Sequence, residues 1–566
     1  MYILGITTLG AYNQAACLFK NNEIIAFAEE ERFSRIKQSF KTFPRHSIDY
    51  CLEAAGIKKE DVGRIAIGWD TARNTWEKCH GADYAQNIDL EWDKLEWESD
   101  EFGAALYELA DIDLEAQLIK EAIRYGFPIQ NLHWYDHHEC HAVSSISCSP
   151  FKECNYITMD GNGGATAGRA GYFSNGKMRE EAYFTYLGSI GRFYEDITKF
   201  LGFKPHEQEG KTMGLACYGQ CDESLLPRDI IFVNRGGLWQ IDQNKVETFL
   251  TKLELQGVKQ KIHENILCTE SVNLAKTAQQ YLEEVLLEAA TLLYSKTGCG
   301  DFALSGGTAL NCSANGQLIK EPFVNNLFIP PAAHDSGTAL GAAILCSSEQ
   351  SGWKKHIPAI NFPSAYWGSS FVSKSAVEVI KQYSQLRYKQ VDVASTLATL
   401  IHNNKIVGYC AGKAEIGPRA LCHRSILANP TIASNLDKVN KIKDRELWRP
   451  LAPVIKEDNF NTIVDLKHPS PYMLIAAPVR DEWKKRIPAV THIDGTCRPQ
   501  SVNAEQNKII YNALGHFEQL SGTPVFLNTS FNLKGEPLVD SAEDAIKTFL
   551  RSNLDYLILE DILVWK

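Results

Sequence analysis

Met159-Asp160-Gly161-Asn162-Gly163-Gly164 closes an apolar run, so residues 154–160 read as a strand that delivers an aspartate to a glycine-rich turn. The pattern recurs twice. Residues 301–305 read as a strand that runs into Ser305-Gly306-Gly307-Thr308-Ala309-Leu310-Asn311. Small residues there let the backbone approach a ligand, and a following helix N-terminus favours phosphate. Residues 325–329 read as a further strand, before His334-Asp335-Ser336-Gly337-Thr338-Ala339-Leu340-Gly341 puts another aspartate at the mouth of a helix. Upstream, residues 2–7, 15–20 and 24–30 are short apolar runs, and Asn21-Asn22-Glu23 is a hairpin signal between the last two. Arg169 to Phe173 and Glu181 to Tyr186 read as strands, 189–201 and 271–297 as helices.

Strand, glycine turn and helix following one another several times after an N-terminal meander predict an α/β fold of the actin-like (ASKHA) kind. In that fold two halves clamp a nucleotide. Between the halves lies Asp136-His137-His138-Glu139-Cys140-His141-Ala142, entered from a short strand at Leu132 to Tyr135. On a helix, residues four apart share a face, so His137 and His141 aim two imidazoles at one spot. That suits a divalent metal; the histidines equally suit the packing of a buried helix start. Asp160 and Asp335 complete a four-donor set of mixed hardness, compatible with iron, manganese or zinc.

The chain has 566 residues, too many for one core. No apolar run reaches the eighteen or so residues of a membrane helix. Fifteen cysteines without a CxxC pair predict reduced thiols and a cytoplasmic location, and Met1 to Ile6 reads as a first strand rather than a signal peptide. A net charge of −11 argues against nucleic-acid binding. An anionic ligand therefore needs a local basic cluster.

Residues 349–372 have little periodicity and read as a linker. Residues 70–125, acidic and rich in Trp and Leu, read as a helical insertion that serves acceptor recognition or a subunit contact. The charge run Glu29 to Lys37 would ordinarily be a solvated face, but its mixed signs and Phe33 are odd for one. Residues 373–566 read as a second α/β unit. Arg419, Arg424, Lys441, Lys443, Arg445 and Arg449 gather there around Pro and Gly turns, with Arg498, Asn528 and Ser530 farther on. In an acidic protein this is a polyphosphate cradle, because the guanidinium fork takes phosphate oxygens in pairs. Surface salt bridges are the alternative.

Together these motifs resemble the NodU/CmcH family of ATP-dependent O-carbamoyltransferases, which includes antibiotic-tailoring enzymes. The resemblance spans nearly the whole chain. It rests on EEERFSRIK at 29–37, DHHECHA at 136–142, EGKTMGLACYG at 209–219, SGGTALNC at 305–312, HDSGTALGAA at 334–343, EIGPRALCHRSIL at 415–427, HIDGTCRPQ at 492–500 and FLNTSFNLKGEP at 526–537. It implies an actin-like transfer domain over residues 1–348 and a YrdC-like domain over 373–566 that joins carbamoyl phosphate to ATP as carbamoyl-adenylate. It implies His137, His141, Asp160 and Asp335 as ligands of Fe²⁺, or of another divalent metal such as Mn²⁺ or Zn²⁺. The adenylate would lie against Gly306, Gly307 and Asn311. ATP with its Mg²⁺, and carbamoyl phosphate, would be gripped by Arg419, Arg424, Lys443, Arg449, Arg498, Asn528 and Ser530. Arg419, Lys443, Arg449 and Arg498 would also align the reacting groups.

The family's first turn often carries a His in a GIS-x-x-x-HDS pattern. Here Tyr12 stands at that position and is kept as a catalytic candidate, although a tyrosine is a poor base at neutral pH unless perturbed; the alternatives are a different residue as base or a carbamoyl-adenylate reactive enough without one. The expected reaction is carbamoyl transfer to a hydroxyl of a small specialised metabolite. The alternatives are the same activation with an amine acceptor, or a nucleotide-binding scaffold that has lost catalysis. A homodimer is the default assembly.

Overall fold

The structure is a computed structural model that describes residues 1–69, 114–164, 166–234, 236–350 and 356–566. It divides into two compact units: residues 1–30 with 38–362, and residues 31–37 with 363–566. No helix among the described residues is long and apolar enough to cross a membrane.

The first unit contains two five-stranded sheets of one topology. Strands β1 (Tyr2–Ile6), β2 (Ala15–Lys20) and β3 (Glu23–Glu29) form an antiparallel meander, and β4 (Val62–Ile67) and β5 (Leu132–Trp134) extend it in parallel from β1. The β2–β3 turn places both Asn21 (φ 53) and Asn22 (φ 63) in the left-handed region, as a two-residue hairpin of matching twist requires. In the second sheet β6 (Glu153–Gly163), β7 (Thr166–Ser174) and β8 (Lys177–Thr185) repeat the meander. The small hairpin of β9 (Ile231–Val233) and β10 (Trp239–Ile241) intervenes before β11 (Asp301–Ser305) and β12 (Asn326–Phe328), which add in parallel from β6. Three antiparallel strands followed by two parallel ones, twice over, is the duplicated architecture expected of an actin-like domain.

Two helices meet between these sheets. Gly341 of the helix Ser336–Gln350 lies so close to the helix His137–Cys148 that a Cβ would stand 1.9 Å from the Cys140 carbonyl oxygen. This helix also presses on β1, where a Cβ at Gly5 would stand 1.8 Å from the Ala339 carbonyl oxygen. The small residues of HDSGTALGAA therefore serve close backbone packing, and that packing fixes Asp335 at the helix head.

Two expectations change. Residues 160–163 are not a turn after the strand: β6 runs on to Gly163, the turn begins at Gly164, and the ladder with β7 breaks between Met159 and Gly163. Such an irregularity bends the strand and re-aims a side chain, here Asp160. The charge run is not a solvated face: Glu29, Glu30 and Arg32 are buried, and Glu31 to Lys37 belong to the second unit. There Arg32 donates to the Gly417 carbonyl at 2.7 Å, and Arg35 donates to the Pro537 carbonyl at 3.0 Å. Of the acidic insertion, residues 70–113 lie outside the described residues. Residues 114–125 are helical, and Leu118 and Ala122 are buried in the core with Leu4, Ile6 and Ile48.

The second unit is built on an eight-stranded mixed sheet. Its strands are β13 (Arg387–Gln390), β14 (Val407–Cys410), β15 (Arg424–Ala428), β16 (Ala452–Lys456), β19 (Gln500–Val502), β20 (Val525–Ser530), β21 (Tyr556–Leu559) and β22 (Ile562–Trp565). The order is β13-β22-β21-β14-β15-β20-β16-β19, while β17 (Ala477–Pro478) and β18 (Thr496–Cys497) pair apart from it. The helices Val393–His402 and Lys508–Ser521 bury Leu397, Ile401, Leu514 and Phe517 against Val407, Phe526 and Ile558 of this sheet. Each such buried side chain is worth ~1.5–3 kcal/mol.

Candidate functional site

The helix His137–Cys148 starts where β5 ends, because Asp136 caps it. One carboxylate oxygen of Asp136 accepts the Glu139 N–H at 2.7 Å, and the other accepts Arg169 Nη2 at 2.7 Å. His137 and His141 stand one turn apart and bring their Nε2 atoms within 3.1 Å of each other. Asp160, from the irregular stretch of β6, has Oδ2 3.2 Å from His141 Nε2 and 4.0 Å from His137 Nε2. Asp335 places Oδ1 3.7 and 3.8 Å from the same two nitrogens. One donor atom from each of the four residues lies within 4.8 Å of all the others. His137 Nδ1 lies 3.2 Å from the Gly68 carbonyl, so this nitrogen carries the proton and the Nε2 lone pair faces inward.

The donor set fits a divalent metal. Both imidazoles are buried, and two carboxylates face them across a few ångströms. Burial lowers the His141 pKa, but Asp160 and Asp335 outweigh it and set the group at about 9. Burial likewise raises Asp160, but His137 and His141 hold it well below the carboxylate range. Positive charge is thus favoured at this point, whether as a proton or as a metal ion. His138 takes the packing role instead. Its Nε2 meets the Thr166 carbonyl at 3.0 Å, and burial lowers it to about 3.

The SGGTAL turn supports this cluster. The Gly307 N–H donates to Asp160 Oδ2 at 3.0 Å, so it holds a carboxylate of the protein where a phosphate was expected. Gly306, at φ 87, passes so close to β6 that a Cβ would stand 2.3 Å from the Met159 carbonyl oxygen. Asn311 is also occupied. Its side chain exchanges hydrogen bonds with Gln279 at 2.9 and 3.0 Å and caps the seven-residue helix Cys312–Leu318 through Ala314 N–H at 3.0 Å. It ties that helix to the long helix Thr269–Thr297, so its side chain is engaged within the protein.

Tyr12 joins the cluster through its backbone, whose N–H donates to Asp335 Oδ2 at 2.8 Å. Its ring stacks on Phe40 at 4.2 Å and on His206 at 4.3 Å. Burial and the carboxylates Glu195, Asp335, Glu209 and Glu207 raise its phenol above the ordinary 10, which disfavours Tyr12 as a base at neutral pH. Sequence reasoning missed His206, Glu195 and Glu209. His206 Nδ1 lies 2.9 Å from Glu195 Oε1, and burial sets Glu209 at about 7. The signal available was the position of His206 just before the EGK motif.

In the second unit, Lys443 ends the helix Asn435–Ile442 and is buried. Its Nζ donates to Asn532 Oδ1 at 2.7 Å, to the Asn532 carbonyl at 2.9 Å and to Ser530 Oγ at 3.1 Å. Burial lowers its pKa well below the usual lysine value, with Arg445, Arg449 and Lys37 adding to the effect against Glu536. Arg445 is depressed by burial and by Arg449 and Arg498. Arg449 is depressed by burial and Arg498, against Glu446. Arg498 Nε is buried without a hydrogen bond. Lys37, Arg445 and Arg449 thus act on Lys443, and Arg498 acts on Arg445 and Arg449, so like charges gather in one neighbourhood as they would around an anion. Lys37 belongs to it although sequence reasoning left it out of the site, and Arg445, counted in the cradle from sequence, was given no ligand role there. Arg419 sits half-buried in the loop before β15.

Arg424 and Asn528 do not face this anion site. Arg424 is 0% exposed, and its guanidinium donates to the carbonyls of Ala411, Gly412, His423 and Asp540 at 3.1 Å and of Ser369 at 3.2 Å. Asn528 is equally buried and donates to the Ala420 carbonyl at 3.1 Å. Both lie in the interior because β15 and β20 are central strands of the sheet. Arg424→Ala is therefore expected to cost at least ~3 kcal/mol of stability, measured by urea unfolding, because several buried carbonyls lose a charged donor together.

Comparisons with known proteins now bear on this arrangement. Residues 2–344 match the family model "Carbamoyltransferase N-terminus", and residues 398–566 match "Carbamoyltransferase C-terminus". The chain is 33% identical over 570 residues to nodulation protein NolNO of Sinorhizobium fredii, covering 98% of this chain and 79% of that protein. It is 32% identical over 440 residues to nodulation protein NolO of Bradyrhizobium diazoefficiens, covering 76% of this chain and 79% of the relative. Among solved structures, HypF of T. kodakarensis aligns at 14% identity and a TM-score of 0.35, over 63% of this chain and 49% of that one. Component A of the (R)-2-hydroxyglutaryl-CoA dehydratase of Acidaminococcus fermentans aligns at 17% identity and a TM-score of 0.33, over 61% of this chain and 96% of that one.

Proposed function

The chain belongs to the carbamoyltransferase family, and from that premise we propose that its second unit, a YrdC-like domain, makes carbamoyl-adenylate from carbamoyl phosphate and ATP, and that its first unit passes the carbamoyl group to a hydroxyl of a small specialised metabolite. The observation that carries this reading is the crowd of mutually repelling cations around Lys443, Arg445, Arg449 and Arg498. Carbamoyl phosphate and ATP are both anions, and joining them requires their repulsion to be screened. Arginine and lysine side chains gathered beforehand do this and align the reacting atoms. Mg²⁺ on the triphosphate adds to the screening.

In the first unit His137, His141, Asp160 and Asp335 would hold a divalent metal, Fe²⁺ or a similar ion. Such an ion supplies Lewis acidity and a fixed positive charge when bound. The protein's own contribution is positional: Gly307 N–H and Gly161 N–H hold the Asp160 carboxylate, and Tyr12 N–H holds that of Asp335. Pyrophosphate release measured with and without carbamoyl phosphate tests the reading. An active enzyme releases pyrophosphate only when carbamoyl phosphate is present. ATP binding without carbamoyl-phosphate-dependent release would favour a nucleotide-binding scaffold.

A pH dependence follows from the cation pocket. In the ligand-free protein Lys443 has a pKa below its unfolded value of about 10.4. Between those two values the unfolded chain binds the extra proton, so ligand-free stability rises with pH there. A bound polyanion favours the protonated lysine and reverses the trend. The rise in melting temperature produced by ATP is therefore expected to be larger at pH 7 than at pH 9.5, as differential scanning fluorimetry would show.

A further inference from the structure

The reading above leaves one proton without a destination. A hydroxyl that attacks carbamoyl-adenylate must lose its proton, and the first turn offers Tyr12 in place of a histidine to take it. We propose that His206 is the proton acceptor for the transfer step and that Glu195 is its positioning residue, an inference that rests on the carbamoyl-adenylate reading.

The geometry is that of an oriented imidazole. His206 Nδ1 lies 2.9 Å from Glu195 Oε1, which fixes the proton on Nδ1 and leaves the Nε2 lone pair to accept one. No hydrogen bond engages Nε2 among the described residues. Contacts join the pair to residues next to both carboxylates of the cluster. On one side His206 stacks on the ring of Tyr12 at 4.3 Å, and the N–H of Tyr12 binds Asp335. On the other, Glu195 lies beside Gly161, the residue after Asp160, where a Cβ would stand 3.0 Å from Glu195 Oε1.

His206 is held in the left-handed region at φ 65, which is unfavourable for a side chain with a Cβ. Gln38 Nε2 donates to its carbonyl, and its own N–H donates to Glu209 Oε1. The surroundings thus maintain a backbone conformation that a free loop would avoid. The groups facing the imidazole are Glu195, Glu209, Asp335 and Tyr12; the three carboxylates raise its pKa against the effect of burial. In the step itself the acceptor O–H bond breaks and its proton goes to His206 Nε2. The oxygen bonds to the carbamoyl carbon, and the bond from that carbon to the phosphate oxygen breaks with its electron pair leaving on adenosine monophosphate.

The test uses the full chain with ATP, Mg²⁺, carbamoyl phosphate and glycerol as a hydroxyl probe in excess, reading pyrophosphate and adenosine monophosphate separately. Adenosine monophosphate reports transfer to glycerol or to water, since both must lose the same proton. His206→Gln is expected to slow its release about 100-fold while pyrophosphate still forms, and Glu195→Gln about 10-fold. Unchanged adenosine monophosphate release in His206→Gln would overturn the proposal. Absence of pyrophosphate from every protein, wild type included, would fail the carbamoyl-adenylate reading instead. The ¹⁵N NMR spectrum of histidine-labelled protein, with His206 assigned from His206→Gln, decides on the imidazole in either case. A neutral form protonated on Nδ1, with a pKa that falls in Glu195→Gln, is the expected result, and a form protonated on Nε2 would overturn the proposal.

Discussion

His141→Ala is expected to abolish carbamoyl transfer and to weaken metal binding by at least about 100-fold, while leaving pyrophosphate formation by the other unit intact. The size of the effect follows from the geometry. His141 Nε2 is the hub of the cluster, at 3.1 Å from His137 Nε2, 3.2 Å from Asp160 and 3.7 Å from Asp335. Without it, one imidazole and two carboxylates remain, with half of the nitrogen donation that borderline metals prefer. Asp160 also loses one of the two imidazoles that keep it ionised in a buried place. Metal analysis after dialysis, with ferrous ion, manganese and zinc tested separately, measures the first effect, and the separate assay of pyrophosphate and adenosine monophosphate measures the second. Metal retained at wild-type stoichiometry in His141→Ala would remove the cluster from the mechanism.

The second large effect has two signs. Arg445→Met is expected to slow carbamoyl-phosphate-dependent pyrophosphate formation by about 10²–10³-fold and to stabilise the ligand-free protein by ~1 kcal/mol. Arg445 is half-buried next to Arg449 and Arg498, and desolvation together with those neighbours depresses its pKa well below the usual guanidinium value. Removing it relieves repulsion in the empty pocket but takes away screening when both anionic substrates must occupy it. Methionine keeps most of the aliphatic volume, so packing loss does not mask the gain. Urea unfolding without nucleotide, set beside the pyrophosphate assay, reads both signs. A variant that loses activity and stability together would mean that Arg445 is structural, as Arg424 is.

The fold was legible in the sequence wherever a short apolar run met a residue of special backbone behaviour. Asn21-Asn22 marked the β2–β3 hairpin, and Ser305-Gly306-Gly307 marked the end of β11. The four candidate metal ligands that converge were legible from spacing and position: His137 and His141 stand four apart on one helix, Asp160 lies at the break in β6, and Asp335 stands at a helix head. Three residues misled for a shared reason. Arg424, Asn528 and Asn311 are polar residues in ligand-like motifs, but their hydrogen bonds go to carbonyls, a neighbouring amide and a helix cap inside the protein. Nothing in a linear motif distinguishes a side chain turned inward from one turned to a ligand. His206 and Glu195 were illegible for the converse reason: they lie 11 residues apart, and only the fold brings them together and up to Tyr12. The break in β6 at Asp160 was likewise read as a turn, because glycines mark an irregular strand and a loop equally well.

The central claim is that this chain activates carbamoyl phosphate as an adenylate. Mass spectrometry of the wild-type protein mixed with ATP, Mg²⁺ and ¹³C-labelled carbamoyl phosphate, with no acceptor present, tests it most directly. The account predicts a ¹³C-labelled carbamoyl-adenylate together with pyrophosphate, both absent when Arg445→Met is assayed over the same interval. ATP bound but unconverted by the wild-type protein, or adenosine diphosphate as its product, would contradict it.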